Sequence, residues 1–277
     1  MSLLTTLKNN FLKNQKNLFL SIFVISVLSR SIIAYFYGDR FLENEWAILV
    51  KNLYNFGHFS LLTFDDLFLP NLWMPPVYGY FIYLHALIFG LNEKLASIVI
   101  ITQILISSIT PIIFYRIISN FFSKDLSFIG VLIFSLFPLI IYSATQISSA
   151  TIYLFLILCF IYLILHFDDK KKFKYICLIG IIAGILILTR RDFILLYLFS
   201  FIYLIFFFKI NFKKIILILI VSLLTISPYI LRNYIAFDKF IIHSGLGYNV
   251  WKAYNPNAKV EGYYEESEEL KLKISKV

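Results

Sequence analysis

NLFLSIFVISVLSRSIIAYFYGDRFLENEWAILVKNLYNFGHFS, residues Asn17–Ser60, contains the transition on which the fold turns. Its first half, Asn17–Tyr37, is an apolar run of the roughly 20 residues a helix needs to cross a bilayer. Lys8, Lys13 and Lys16 precede it, and no small-residue cleavage site follows, so the run is expected to stay as an anchor. The second half changes abruptly to an acidic, aromatic stretch carrying Asp39, Glu43 and Glu45. A Pro75–Pro76 pair closes the region further on.

The rest of the chain repeats the first half far more than the second. Of 277 residues, 60% are hydrophobic and 15% charged, and the mean hydropathy is +0.82. A soluble domain carries about 25% charged residues, so most of this chain is expected to lie in lipid. Further apolar runs occupy Leu95–Ser119, Leu126–Thr145, Ser148–Phe167, Phe173–Thr189, Asp192–Phe208 and Lys213–Leu231. Pro76–Gly90 is shorter; as a helix it covers about 22 Å, less than the ~30 Å hydrocarbon core.

Loop charges assign sides. If Pro76–Gly90 lies in the interface, Lys8/Lys13/Lys16, Arg116/Lys124, Lys170/Lys171/Lys172/Lys174 and Lys209/Lys213/Lys214 all share one face. That is the positive-inside pattern, and a crossing there would break it. The expectation is an all-α integral membrane bundle of about seven transmembrane helices. Residues 1–232 form the membrane module, 38–92 an outer loop with juxtamembrane helices, and 233–277 a short outer C-terminal segment. The N-terminus is then cytoplasmic. The net charge of +9 is spread over short loops, which fits topology and not nucleic-acid binding, where a basic face on a soluble domain is needed.

Candidate chemistry collects at the outer ends of the spans. Glu43–Phe56 has helical spacing of Trp46, Leu49, Val50 and Leu53, as in an interfacial helix. Glu43 and Glu45, two residues apart, then point in different directions. Arg190 and Arg191 sit where the positive-inside rule leaves few cations, which suits an anionic headgroup such as a phosphate; Asp192 is a partner for either. Pro228 is expected to break or kink the last span, letting Arg232 and Asn233 emerge at the surface. Arg30, inside the first span, pairs within a bundle or snorkels outward. Cys159 and Cys177 fall in apolar runs and read as small buried hydrophobes. His58, His85, His166 and His243 show no ligand spacing, so no metal is assigned. No Gly-Lys-Ser/Thr phosphate loop occurs.

The order of these pieces resembles the GT-C integral-membrane glycosyltransferases, in the branch of protein O-mannosyltransferases and the lipid A aminoarabinose transferase. Glu43-Asn44-Glu45-Trp46 leads into Lys51-Asn52-Leu53 and Gly57-His58-Phe59-Ser60. Pro75-Pro76-Val77-Tyr78 opens a segment ending at Phe89-Gly90. Gly180–Arg190 reads G-x-x-x-G-x-x-x-L-T-R, and Pro228–Asn233 reads P-x-x-x-R-N. Gly247–Trp251 and Asn255-Pro256 follow. The likeness runs from about Ser29 to Pro256. Relatives often have Asp where Glu43 stands, leaving Glu45 or Asp39 as alternative working acids. They generally continue into further spans or a soluble domain, so a short member, a fragment or half of a split enzyme is expected.

The resemblance implies transfer of a sugar from a polyprenyl-phosphate donor to a lipid, glycan or protein acceptor. The reaction would lie on the outer (periplasmic) face of a bacterial inner membrane, with inversion. Glu43, Glu45 or Asp39 is the general base, Glu43 first. Arg190, Arg191 or Arg232 binds the donor phosphate, and Trp46, Tyr78, Asn233 and Asn249 contact substrate. No cofactor is expected, with a divalent cation left open. A transporter or lipid flippase, and a catalytically silent truncated paralogue, are the competing readings.

Overall fold

The computed structural model describes residues 15–64, 67–167, 173–244, 250, 253 and 254. Among the described residues three helices are long and apolar enough to cross a membrane: α1 (Gln15–Tyr37, apolar from Asn17), α4 (Leu95–Ile118) and α10 (Phe212–Phe237). Shorter apolar helices are α3 (Pro76–Phe89), α7 (Ala150–Leu165), α8 (Phe173–Thr189) and α9 (Phe193–Phe208). The protein is therefore a helical membrane protein that mixes long apolar helices with shorter ones.

Two sequence expectations are corrected. Leu126–Thr145 is not one continuous span: it divides into α5 (Lys124–Ser135) and α6 (Pro138–Ser143). Pro138 lacks an N–H and cannot lie one turn above a helical carbonyl. Phe137 before it is extended, with φ −66° and ψ 120°, as residues preceding proline prefer. Pro228, by contrast, does not break its helix; α10 runs on to Phe237, so Arg232 and Asn233 stay on it.

The segment after α1 is not purely helical either. It holds α2 (Asn44–Phe56) and then an antiparallel hairpin, β1 (Ser60–Phe64) with β2 (Leu67–Pro70). Gly57, at φ 74°, ends α2 in the left-handed conformation that glycine adopts without penalty.

Apolar clusters tie the elements together. Leu18, Ile22, Tyr115 and Val131 join α1, α4 and α5. Val50, Tyr78, Ile82, Ala86, Leu95, Val99 and Ile152 join α2, α3, α4 and α7. The largest joins α7 to α10 through residues such as Phe160, Ala183, Phe193 and Ile218. Helices in lipid gain little from hiding apolar surface and associate by close packing. Gly180 and Gly184 supply it between α8 and α10. A Cβ on Gly184 would lie 2.6 Å from the Thr225 Cβ and 2.9 Å from the Ser222 carbonyl oxygen.

Candidate functional site

The base of the hairpin meets the end of α10, and the end of α1 meets the α6–α7 connection. Asp39 is held there by two contacts with the connection. Its N–H donates to the Thr145 carbonyl at 3.1 Å, and its Oδ2 accepts from the Ile147 N–H at 2.7 Å. Gln146 adds a third tie, donating from Nε2 to the Tyr37 carbonyl at 2.9 Å. Asp39 thus belongs to the fold's framework, with one carboxylate oxygen fixed by a backbone donor.

A small polar pocket of about 100 Å³ opens beside it, lined by Asp39, Arg40, Phe41, Glu43 and Ile147. Glu43 occupies the position preceding α2, extended at φ −122°, and its side chain caps no helical N–H. It is exposed, as is Glu45 in the first turn of α2. Glu45 is absent from the pocket lining. The structure therefore brings Asp39 and Glu43 together and leaves Glu45 outside, following the two-residue offset between the glutamates.

Behind the pocket, Trp46 packs edge-on against Tyr78, with ring centroids 4.8 Å apart. Tyr78 is fully buried and donates its hydroxyl to the Gln103 Oε1 at 2.6 Å. A substrate contact, as expected for Tyr78 from the sequence, is closed to a buried phenol whose hydroxyl is already engaged. Its place in the structure is as a support.

The arginines divide between two further locations. Arg190 bridges to Asp192, Nε to Oδ1 at 3.3 Å, and its guanidinium stands 5.1 Å over the Tyr153 ring. Arg191 lies close enough to His243 for its charge to act on the imidazole. Burial first, and then that charge, hold His243 below its ordinary pKa, against a raising hydrogen bond with the Trp73 backbone. Arg232 lies elsewhere. It donates from NH1 to the Asn71 carbonyl at 2.8 Å and to the Asn233 Oδ1 at 2.7 Å, and from NH2 to the Phe59 carbonyl at 2.9 Å. It clamps the base of the hairpin to α10. Among the described residues its Nε has no partner, so part of the fork remains available. Asn233, expected at the surface, is buried and donates to the Ile241 carbonyl at 2.7 Å. Asn249 lies outside the described residues.

Arg232 also lines an apolar groove of about 500 Å³ between α3, α8 and α10. Val77, Tyr80 and Leu84 form one wall, facing Ile185, Leu188 and Thr225. These α3 residues recur at three- and four-residue spacing, whereas Tyr78, Ile82 and Ala86 point to the α2–α4 side. One helix thus has the groove on one face and the supports of the acidic pocket on the other. The two cavities share no lining residue.

Sequence reasoning missed Arg40, Gln103, Gln146 and the Ile147 N–H. A fully buried amide in the apolar run Leu95–Ser119 was a signal, since polar groups in membrane helices need partners. The Ile147 N–H left none, because a backbone donor has no sequence signature. Among the described residues no group of three or more His, Cys, Asp or Glu is gathered as a metal site.

A family model described as dolichyl-phosphate-mannose-protein mannosyltransferase matches residues 74–231, more than half of the chain. No curated protein and no solved structure matches it.

Proposed function

Because the chain belongs to the dolichyl-phosphate-mannose-protein mannosyltransferase family, and so is a membrane glycosyltransferase of the GT-C type, we propose that it draws its sugar from a polyprenyl-phosphate donor. The acceptor is a hydroxyl on a lipid, glycan or protein. The observation that carries this reading is the apolar groove with Arg232 in its lining, on the opposite face of α3 from a pinned carboxylate.

The first isoprene units fit the Val77, Tyr80, Leu84, Ile185 and Leu188 walls. The phosphate then meets the unpartnered edge of the Arg232 guanidinium, where leaving-group charge is stabilised as it grows. The sugar reaches over the first turn of α3 toward the acidic pocket.

Asp39 is the better base of the two carboxylates in that pocket. A catalytic group works best when its geometry is fixed beforehand, and the Ile147 N–H fixes Oδ2, leaving Oδ1 to take a proton. Glu43, exposed and unpinned, is the second choice. The acceptor oxygen attacks the anomeric carbon as its proton passes to Asp39. The carbon–oxygen bond to the phosphate breaks, and the lipid phosphate leaves with the electron pair. A phosphate leaves without protonation, so one carboxylate suffices, where glycosidases need two. The stereochemistry inverts. The basic loops favour an orientation with this end facing outward, across what is proposed as a bacterial inner membrane.

The test uses membranes containing the full chain and polyprenyl-phosphate mannose, with release of polyprenyl phosphate as the readout. Asp39→Asn is expected to lower turnover about 10²–10⁴-fold, the usual contribution of a general base. Wild-type turnover in that variant, with loss in Glu43→Gln, would move the base to Glu43. Full turnover in both would end the reading.

A further inference from the structure

Tyr78, Gln103, the Gln146–Ile147 peptide and Asp39 form one continuous line of hydrogen bonds. The Tyr78 hydroxyl donates to the Gln103 Oε1 at 2.6 Å. Gln103 donates from Nε2 to the Gln146 carbonyl at 2.8 Å and, at 3.4 Å, to the Ala144 carbonyl. The peptide that begins with that Gln146 carbonyl ends with the Ile147 N–H, which donates to the Asp39 Oδ2 at 2.7 Å. The C=O and N–H of a trans peptide are rigidly coplanar and point in opposite directions. Gripping the carbonyl therefore aims the N–H.

We propose that Gln103 is a positioning residue for the transfer, orienting the Gln146–Ile147 peptide so that its N–H holds the Asp39 carboxylate in place. The inference rests on Asp39 being the base.

The orientation of the amide is determined by its partners. Two carbonyls can only accept, so the Gln103 NH₂ must face them and its oxygen must face the phenol. Gln103 is fully buried on α4, and burying such an amide is costly unless every polar atom is satisfied. Here both ends are, by partners from two different elements. Consecutive hydrogen bonds also polarise one another, strengthening each bond by roughly 10–30%. A donor to the Gln146 carbonyl makes the Ile147 N–H a better donor to Asp39.

The structure also explains why the α6–α7 connection needs this grip. It follows the helix break at Pro138 and begins α7 only at Ala150, so no helical ladder holds the peptide in register, and among the described residues Gln103 shares the Gln146 carbonyl only with the local Ser148 N–H at 2.9 Å. Gln103 reaches it from α4, the long helix behind the pocket. Asparagine, one methylene shorter, cannot span from α4 to both carbonyls and still meet Tyr78. Glutamate cannot donate to either carbonyl.

The experiment measures donor KM and kcat, with polyprenyl-phosphate mannose, for Gln103→Leu, Gln103→Glu, Tyr78→Phe and Asp39→Asn in the full chain. It then adds Gln103→Leu to Asp39→Asn. Expected are a fall in kcat of about 10- to 100-fold in both Gln103 variants, donor KM within about twofold of wild type, and a smaller fall in Tyr78→Phe. Added to Asp39→Asn, Gln103→Leu is expected to cost nothing further, because groups acting as a unit are not additive. A general loosening of the bundle would instead lower the activity of both backgrounds.

Wild-type kcat in Gln103→Leu, or an equal further loss on Asp39→Asn, overturns the inference while leaving the base assignment standing. If Gln103→Leu fails to fold, the Tyr78→Phe comparison decides: a kcat equal to wild type overturns the inference. Wild-type turnover in Asp39→Asn removes the base assignment and this inference with it.

Discussion

The Arg30 guanidinium, fully buried in α1, donates from NH1 to the Ser135 carbonyl oxygen at 3.1 Å. Ser135 is the last residue of α5, and the break at Pro138 removes the helical donor its carbonyl would otherwise have. Arg30 also donates from Nε to the Ser107 Oγ at 2.7 Å and from NH1 to the Ser26 carbonyl at 3.1 Å. It therefore joins three helices at the point where one is interrupted. Arg30→Ala leaves a cavity and an unsatisfied carbonyl, and is expected to cost about 2–4 kcal/mol. Thermal unfolding in detergent measures it. Arg30→Lys, with one ammonium in place of a fork, recovers only part of the loss.

Gly184 tests the close approach of α8 to α10. Its missing Cβ would meet the Thr225 Cβ at 2.6 Å and the Ser222 backbone carbonyl at 2.9 Å. A backbone oxygen cannot move aside as a flexible side chain can. Gly184→Val is expected to destabilise by about 1–3 kcal/mol or more, and to distort the groove wall through adjacent Ile185. Gly130→Ala, whose Cβ meets only the Ile118 Cδ1 at 3.1 Å, is expected to leave melting nearly unchanged. Equal effects in the two variants would contradict this packing.

Arg232 has two duties that a substitution separates. Arg232→Lys keeps a positive charge in the groove lining but offers one nitrogen where the guanidinium spreads its N–H groups over Phe59, Asn71 and Asn233. Its donor KM is expected to rise about tenfold, and limited proteolysis should cut the hairpin region faster. Arg232→Gln, without the charge, should raise donor KM further. A faster cut with unaltered KM would confine Arg232 to its clamping role.

Acid should weaken the bundle end through His243. Its pKa is lowered from 6.5 by burial and by Arg191, so the unfolded chain binds the proton first as pH falls. Stability contributed by the neutral imidazole is present above pH 6.5 and is lost as pH drops from there through the lowered value. His243→Gln is expected to flatten the fall of the melting temperature below pH 6.5. An unchanged slope would remove His243 from the acid response.

Outside the pocket, Glu45→Gln serves as a comparison for the acid assignments. Glu45 is exposed and lies in the first turn of α2, where a carboxylate favours the helix dipole by about 0.3–1 kcal/mol. Turnover within about twofold of wild type is expected, with at most a small drop in stability. A loss matching that of Asp39→Asn would place the chemistry on the other side of α2.

Membrane residence, the positions of most helices and the region bearing the acids could all be read from residue order alone. Hydropathy belongs to each side chain itself, and a proline such as Pro75 acts on its immediate neighbours. Even there local reading had limits: Pro138 divides a helix and Pro228 does not, because surrounding packing decides whether a proline ends a helix. Only the tertiary structure decided which carboxylate is held. Asp39 and Ile147 stand 108 residues apart, Arg232 and Phe59 173, and no short-range pattern records a backbone N–H as a partner. The groove exists only where α3, α8 and α10 converge, so its walls look in sequence like any lipid-facing residues.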